Sequence, residues 1–450
     1  MDISKQDHID YSHSNKKVTT NNLCTGYAFL LTAVGCLVGS TGSTSLMLIV
    51  TAMFAPLILT PEILLGPVLF FTIFDDFLLI GSSSSASRFV TIFFILGAAI
   101  SILQKSSIKK ASLYFLLLIA YGILISYYST KGYTSFPISY VLNVILTIAM
   151  VNLSGNSTQK IAKQLYIYGV LALVYVYFLL WRNGFDSFVD GTRMTIGEDV
   201  NSNQLAKGLA IVMALLVSDL LLFKKHILLN VLLIVANLVA LFLTGSRTAL
   251  IASVFTAFLL YIMNAQDKRS KRKAFLLLII SSILLIVIYT VLQKAFPLLM
   301  ERFTADNVEE SGGSGRVDVW TYYFVHLFPK HWFVGMGFNT LNLYYALVDL
   351  NTEGHGAHNL IVEILSRTGV VGLILYTVCI AKFFGATRNK LRSTSSLLIP
   401  IAIVITILIN GIGENNLTTR FLWFGIGLGY MLLNTANKEY KKLSGGDHDV

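Results

Sequence analysis

The feature that most constrains this chain is a run of fourteen apolar stretches, near residues 25–40, 44–60, 62–78, 88–103, 111–128, 138–152, 164–181, 204–223, 226–243, 247–263, 274–292, 358–384, 397–412 and 420–434. None alternates polar and apolar residues with a period of two. In hydrocarbon every backbone N–H and C=O must be paired inside its own segment or a closed barrel, so runs without barrel alternation can span only as helices. The fold class expected is all-α, a polytopic integral membrane helix bundle. With 55% hydrophobic and 13% charged residues in 450, lipid is the solvent for most of the chain. Several stretches fall short of the ~20 residues that cross ~30 Å of hydrocarbon. The two flanking Thr60-Pro61 read either as two spans or as one broken or re-entrant element, so the spans number twelve to fourteen. The first 22 residues are polar and lack the short apolar core of a secretory signal, which predicts that the first span is kept as an uncleaved anchor.

The connections alternate in basic content as the positive-inside rule requires. One set comprises the N-terminal tail (Lys5, Lys16, Lys17), Lys105 to Lys110, Lys160 with Lys163, Lys224 with Lys225, DKRSKRK at 267–273, Lys382 to Arg392 and the C-terminal tail; it holds 22 of the 34 Lys and Arg residues. That set and both termini are assigned to the cytoplasm, in a multi-pass protein of the cytoplasmic (inner) membrane. The organisation expected is a cytoplasmic tail at 1–24, a transmembrane bundle at 25–292, a large extracytoplasmic loop at 293–357, C-terminal transmembrane helices at 358–434 and a cytoplasmic tail at 435–450. In the loop, an acidic stretch (Asp306, Glu309, Glu310) and an SGGSG turn precede RVDVWTYYFVHLF. There Val317, Trp320, Phe324 and Leu327 recur at helical spacing and predict a short amphipathic helix in the membrane interface. The net charge of +10, so distributed, reads as topology rather than nucleic-acid binding. Cys24, Cys36 and Cys379 lie in or beside spans, which predicts neither a disulfide framework nor a thiolate metal site.

The other twelve basic residues fall on or near the outer side, among them Arg193, Arg247, Arg316 and Arg420. Singly, each is explained by snorkelling to lipid phosphate or by pairing with a loop carboxylate; four together point to a polyanionic ligand. Guanidinium groups grip phosphate in bidentate geometry, which fits a diphosphate-bearing lipid. Where the long loop becomes HGAHNLIVEILSRTGVVG (355–372), an outward-facing helix N-terminus favours an anion. His358 there is suited to take a proton from a sugar hydroxyl, against the plainer role of a capping or interface histidine. A zinc site of Glu353, His355 and His358 is disfavoured, because the ligands crowd one short loop with no fourth in view. Glu363 and Arg367, four apart, read as a supporting ion pair. Trp181, Trp320, Trp332 and Trp423 read as an outer aromatic belt, with sugar stacking by Trp320 or Trp332 the weaker reading. Asp75 and Asp76 lie near an outer span end and Asp219 near an inner one. Neither a mid-depth acid nor a pair of broken half-helices is legible, which argues against an ion-coupled transporter.

Four pieces of the sequence, in order, resemble the O-antigen ligase and O-antigen polymerase superfamily, which acts on undecaprenyl-diphosphate-linked glycans of bacterial envelopes. They are GTRMTIGEDVNSNQLA (191–206), TGSRTAL (244–250), SGRVDVW with the following FVGMGFNT (314–340) and AHNLIVEILSRTGVVG (357–372). The resemblance covers about residues 164–434; the first six spans match only in being apolar. It implies a lipid-to-acceptor glycosyltransferase needing no nucleotide sugar, no cofactor and no obligatory metal. By motif position Arg193, Arg247 and Arg316 would hold the donor diphosphate and His358 would lie near the acceptor, with Asn203, Trp320 and Asn359 supporting. Arg420, after GENNLTT in the last outer connection, joins the diphosphate group, and Glu414 is an alternative base. The expected function is polymerisation of lipid-linked repeat units at the outer face, for capsule, exopolysaccharide or O-antigen. Expected partners are the lipid-linked donor and acceptor, membrane lipid, a chain-length regulator and a flippase, and no nucleic acid. A ligase that moves finished glycan onto lipid A core, wall polymer or protein shares the pattern. A transporter or flippase of the same lipid would instead line a crossing cavity with basic residues.

Overall fold

The computed structural model describes residues 4–80, 84–105, 108–129, 138–184, 188–189, 193–196, 201–265, 268–304, 316–338 and 357–444. Every apolar stretch read from the sequence is helical. In chain order the helices are α1 (Ser4–Ser40), α2 (Thr44–Ala52), α3 (Leu65–Ile73), α4 (Ala86–Lys105), α5 (Ser112–Ser129), α6 (Ile138–Asn152), α7 (Thr158–Asn183), α8 (Ser202–Phe223), α9 (Ile227–Leu243), α10 (Arg247–Asn264) and α11 (Lys268–Ala295). Then follow α12 (Pro297–Glu301), α13 (Arg316–Tyr322), α14 (Phe328–His331), α15 (Leu360–Lys390), α16 (Leu398–Asn410) and α17 (Arg420–Leu443). Among the described residues six helices are long and apolar enough to cross a membrane, and seven shorter apolar helices accompany them, so the chain is a multi-pass all-α membrane protein. The one strand pair is a two-residue ladder, Phe188–Val189 against Arg193–Met194, among the described residues.

The core is organised around α8, which is buried almost continuously from Leu205 to Ser218 and is packed by α7, α9, α10 and α16. Lipid provides no hydrophobic drive between helices, so their contacts rest on close approach and on polar groups that find partners. Gly427 of α17 lies so near α6 that a Cβ would come 2.7 Å from the Met150 sulfur. Alongside it, Thr147 Oγ1 donates to Trp423 O at 2.9 Å and Asn143 Nδ2 to Thr418 O at 2.7 Å.

Two elements are broken. Between α2 and α3 lie two short 3-10 turns, Ala55–Leu59 and Pro61–Leu64, each carrying a proline that removes a helical donor. The region around Thr60-Pro61 is therefore interrupted, as one of the two sequence readings allowed. The second break was not anticipated: α15 departs from helical geometry at Gly369, with φ 61° and ψ −167°. Lipid-exposed, such a break would leave carbonyls and amides unpaired at high cost. Here a segment of the outer loop fills it, with Met336 N donating to Ser366 O (2.7 Å), Gly337 N to Arg367 O (2.9 Å) and Val370 N to Trp332 O (2.8 Å). Tyr121 Oη donates to Thr368 O at 2.8 Å. Gly369 is required twice over, for its positive φ and because a Cβ would stand 2.3 Å from Phe333 O.

Two expectations change. The amphipathic segment is helical over Arg316–His331 with a π turn at Tyr323–Leu327, but its inward stripe is Val319 and Tyr323 with part of Trp320 and Leu327. Val317 and Phe324 face outward. Trp423 is no belt residue: it is 1% exposed and donates Nε1 to Leu417 O at 2.8 Å. Trp181 and Trp332 are exposed. Asp306, Glu309, Glu310, the SGGSG turn, Glu353 and His355 lie outside the described residues.

Candidate active site

The candidate site forms where α8, α10, α13, α15 and the connection 411–419 end together. Neighbouring elements hold that connection largely through its backbone. Leu360 N donates to Gly411 O (2.6 Å), Asn359 Nδ2 to Ile412 O (3.0 Å), Lys207 Nζ to Asn415 O (3.4 Å) and Leu417 N to Glu363 Oε2 (3.0 Å). Glu363 also meets Arg367 at 3.2 Å, and so fixes the connection as well as its own helix. The result is a rigid mount for Glu414.

Glu414 bridges two groups: Oε1 accepts from Arg316 Nη2 at 3.2 Å, and Oε2 stands 3.5 Å from His358 Nδ1. Burial pushes its carboxyl up, but the His358 hydrogen bond and the positive charges of Lys207 and Arg316 outweigh burial and hold it below the usual carboxylate range. His358 adopts a left-handed backbone, φ 44°, a conformation uncommon outside glycine that marks a residue held by its surroundings. Trp320 Nε1 donates to Ala357 O at 2.6 Å, one residue before it, so Trp320 positions the histidine's backbone.

The sequence placed an anion at the N-terminus of α15, but that end is already satisfied. Asn359 caps it, its Oδ1 accepting from Ile361 N (2.9 Å) and Val362 N (3.2 Å). The open helix start is that of α10. Its N-cap residue Ser246 makes no side-chain cap, and the first intrahelical bond is Leu250 N to Ser246 O at 3.2 Å. The amides of Arg247, Thr248 and Ala249 therefore have no intrahelical acceptor, the usual condition of a helix start and a favourable place for an anion.

Four guanidinium groups surround this start. Arg247 is its first residue. Arg193 rides on the small hairpin, donates Nε to Thr244 O (3.1 Å) and Nη2 to Asn203 Oδ1 (2.5 Å), and is thereby aimed by both α8 and α9. Phe188 of the same hairpin stacks on Phe296 at 5.3 Å, which brings Arg302, just beyond α12, to the same place. A Cβ on Gly245 (φ 66°) would touch both Arg193 Cγ and Arg302 Cδ at 3.4 Å. Arg316 closes the ring, since a Cβ on Gly413 would meet Thr248 at 2.3 Å and Arg316 Nη1 at 2.9 Å. Burial and then the like charge of Arg302 push the Arg193 guanidinium down to about 10, with Arg316 and Arg247 adding to the effect and Glu414 opposing it. Burial and then Arg316 lower Arg302 as well. Among the described residues Arg247 Nη1, Arg302 Nε and Ser246 Oγ are buried and hydrogen-bonded to no protein group. Concentrated positive charge with unpaired inward donors is what a multiply charged anion satisfies.

Of the sequence-derived residues, Arg193, Arg247, Arg316, His358, Glu414, Asn203, Asn359 and Trp320 therefore converge. Arg420 does not. The first residue of α17, it is buried and donates to Asn143 Oδ1 (3.2 Å), to Thr72 Oγ1 (3.4 Å) and to Ser87 Oγ, and pairs with Asp75 at 3.6 Å. Its charge is spent inside the protein. Sequence reasoning missed Arg302, which stands in no recognisable motif, and Lys207, a 3%-exposed lysine whose signal was its place one turn after Asn203 in α8.

Residues 231–377 match the family model described as O-antigen ligase. The match covers α9 to the middle of α15, including Arg247, Arg302, Arg316 and His358 but neither Arg193 nor Glu414. It supports membership of the O-antigen ligase and polymerase superfamily, and a glycosyltransferase-like function of ligase or polymerase type in polysaccharide biosynthesis. No curated protein matches the chain.

Proposed function

We propose, from the premise that this chain carries an O-antigen ligase domain, that it polymerises undecaprenyl-diphosphate-linked oligosaccharides at the outer face of the cytoplasmic membrane. The observation that carries the reading is the adjacency of the four-arginine ring at the α10 start to the His358–Glu414 pair, joined through Arg316. The diphosphate of the donor lipid lies against Arg193, Arg247, Arg302 and Arg316 and the α10 amides. The acceptor is the nonreducing end of an incoming repeat unit, its hydroxyl directed at His358.

The chemistry then balances without a nucleotide or a metal. Glu414 holds the proton of His358 on Nδ1 and leaves Nε2 as the base. The acceptor oxygen attacks the anomeric carbon as its proton passes to Nε2. The bond from that carbon to the diphosphate breaks, and the electron pair leaves on undecaprenyl diphosphate, where the arginine ring stabilises the growing charge. A single displacement of this kind inverts the anomeric centre. Lys207 and Glu363 keep the Glu414 mount in place, and Arg420 is structural in this account.

The test is a reaction of the purified, detergent-solubilised protein with lipid-linked repeat units, without nucleotide sugar and in the presence of EDTA. A ladder of longer lipid-linked glycans supports the polymerase. Transfer only after addition of lipid A core, wall polymer or protein replaces it with a ligase. Neither product, together with translocation of the lipid in reconstituted vesicles, overturns the enzyme reading in favour of a flippase.

A further inference from the structure

At the opposite end of the bundle, the start of α7 and the ends of α8, α15 and α17 enclose a pocket of about 680 Å³, within the size range of small-ligand sites. Its lining includes the polar Lys390 of α15, Ser393 and Ser395 of the following turn and Asn437 of α17, with Phe223 and Leu443 adding an apolar edge. The acid in the wall, Glu439, is engaged through both oxygens, accepting from Thr158 N and from Thr158 Oγ1 at 3.1 Å each. The helix ends and turns that line it also carry, in sequence, Arg388, Arg392, Lys224, Lys225 and Lys441.

We infer that this pocket binds the headgroup of an anionic phospholipid from the cytoplasmic leaflet. The chemistry is that of a phosphodiester beside a glycerol. Lys390 offers a charge, the Ser395 hydroxyl and the Asn437 amide offer neutral hydrogen bonds, and the apolar edge takes the first acyl carbons. The neighbouring cations favour a net negative headgroup over a zwitterionic one. The pocket shares no residue with the arginine ring and does not depend on the function proposed for it.

The experiment follows the thermal unfolding midpoint of the full-length protein in detergent while short-chain phosphatidylglycerol, short-chain phosphatidylcholine or glycerol 3-phosphate is titrated. The midpoint rises with phosphatidylglycerol and stays flat with the other two. Lys390→Glu weakens the response about tenfold, and Ala436→Trp, which fills the pocket from α17, removes it. An equal rise with phosphatidylcholine, a rise with glycerol 3-phosphate that matches the lipid's, or wild-type responses from both variants would each overturn the inference.

Discussion

Glu414 stands 3.5 Å from His358 Nδ1 with one oxygen and 3.2 Å from Arg316 with the other, so one carboxylate ties the proposed base to the proposed diphosphate site. Each side of that bridge makes its own prediction. His358→Gln removes the base while keeping a similar volume, and turnover falls about 10²- to 10⁴-fold with donor binding retained. Glu414→Gln leaves Arg316 and Lys207 without their counter-charge and costs stability as well, about 2–4 kcal/mol. Glycan ladders from lipid-linked units, run beside thermal melts, separate the two effects.

The arginine ring predicts opposed effects on stability and function. Arg302→Gln relieves repulsion among like charges, so the free protein is stabilised by roughly 1 kcal/mol and melts about one degree higher, while turnover is lost. Inorganic pyrophosphate raises the melting midpoint of the wild type and not of the variant. A variant that melts lower and still turns over would contradict the ring as an anion site.

The lowered Glu414 carboxyl sets the sign of a pH dependence. Because the folded protein holds this group below its ordinary value of 4.5, the unfolded chain binds the proton more readily. Its stabilisation is fully present above that value and is lost as pH falls through the folded one. The midpoint difference between wild type and Glu414→Gln is therefore constant from pH 7 down to about 5 and narrows below the ordinary carboxylate range. Melts of both proteins between pH 7 and pH 3 check it; a difference that widens on acidification would refute the assignment.

The break in α15 predicts a severe effect from a small change. Gly369→Ala places a Cβ against Phe333 O and forces an L residue to positive φ. The 332–337 segment must then leave α15, unpairing Ser366 O and Arg367 O inside the bundle, at a cost of about 3 kcal/mol or more. Gly385→Ala on the same helix, where an added Cβ meets nothing within 4 Å, is the neutral control. Detergent-extractable folded protein measures both.

Hydrophobic runs made the helices legible because lipid leaves a spanning segment no other option, and outer arginines were legible because they oppose the insertion bias. Both signals are local. Arg302 was hidden because its role depends on the stacking of Phe188 on Phe296, a contact between separate parts of the chain. Arg420 misled for the converse reason: its outer position was clear, but Asp75, 345 residues earlier, already neutralises it. The two helix starts were exchanged as well. The free amides at α10 and the capped ones at α15 differ in that Ser246 makes no side-chain cap, whereas Asn359 caps two amides and Leu360 N finds Gly411 O. The Gly369 break left no trace in the apolar pattern, because the residues that repair it come from the loop.

The most direct measurement counts undecaprenyl diphosphate released for each glycosidic bond formed by the purified protein acting on lipid-linked repeat units. The account predicts one released per bond, with both rates lost together in Arg302→Gln and lowered together by about 10²-fold or more in His358→Gln. Glycan growth at the wild-type rate in the His358 variant, or release without growth in the wild type, would contradict it.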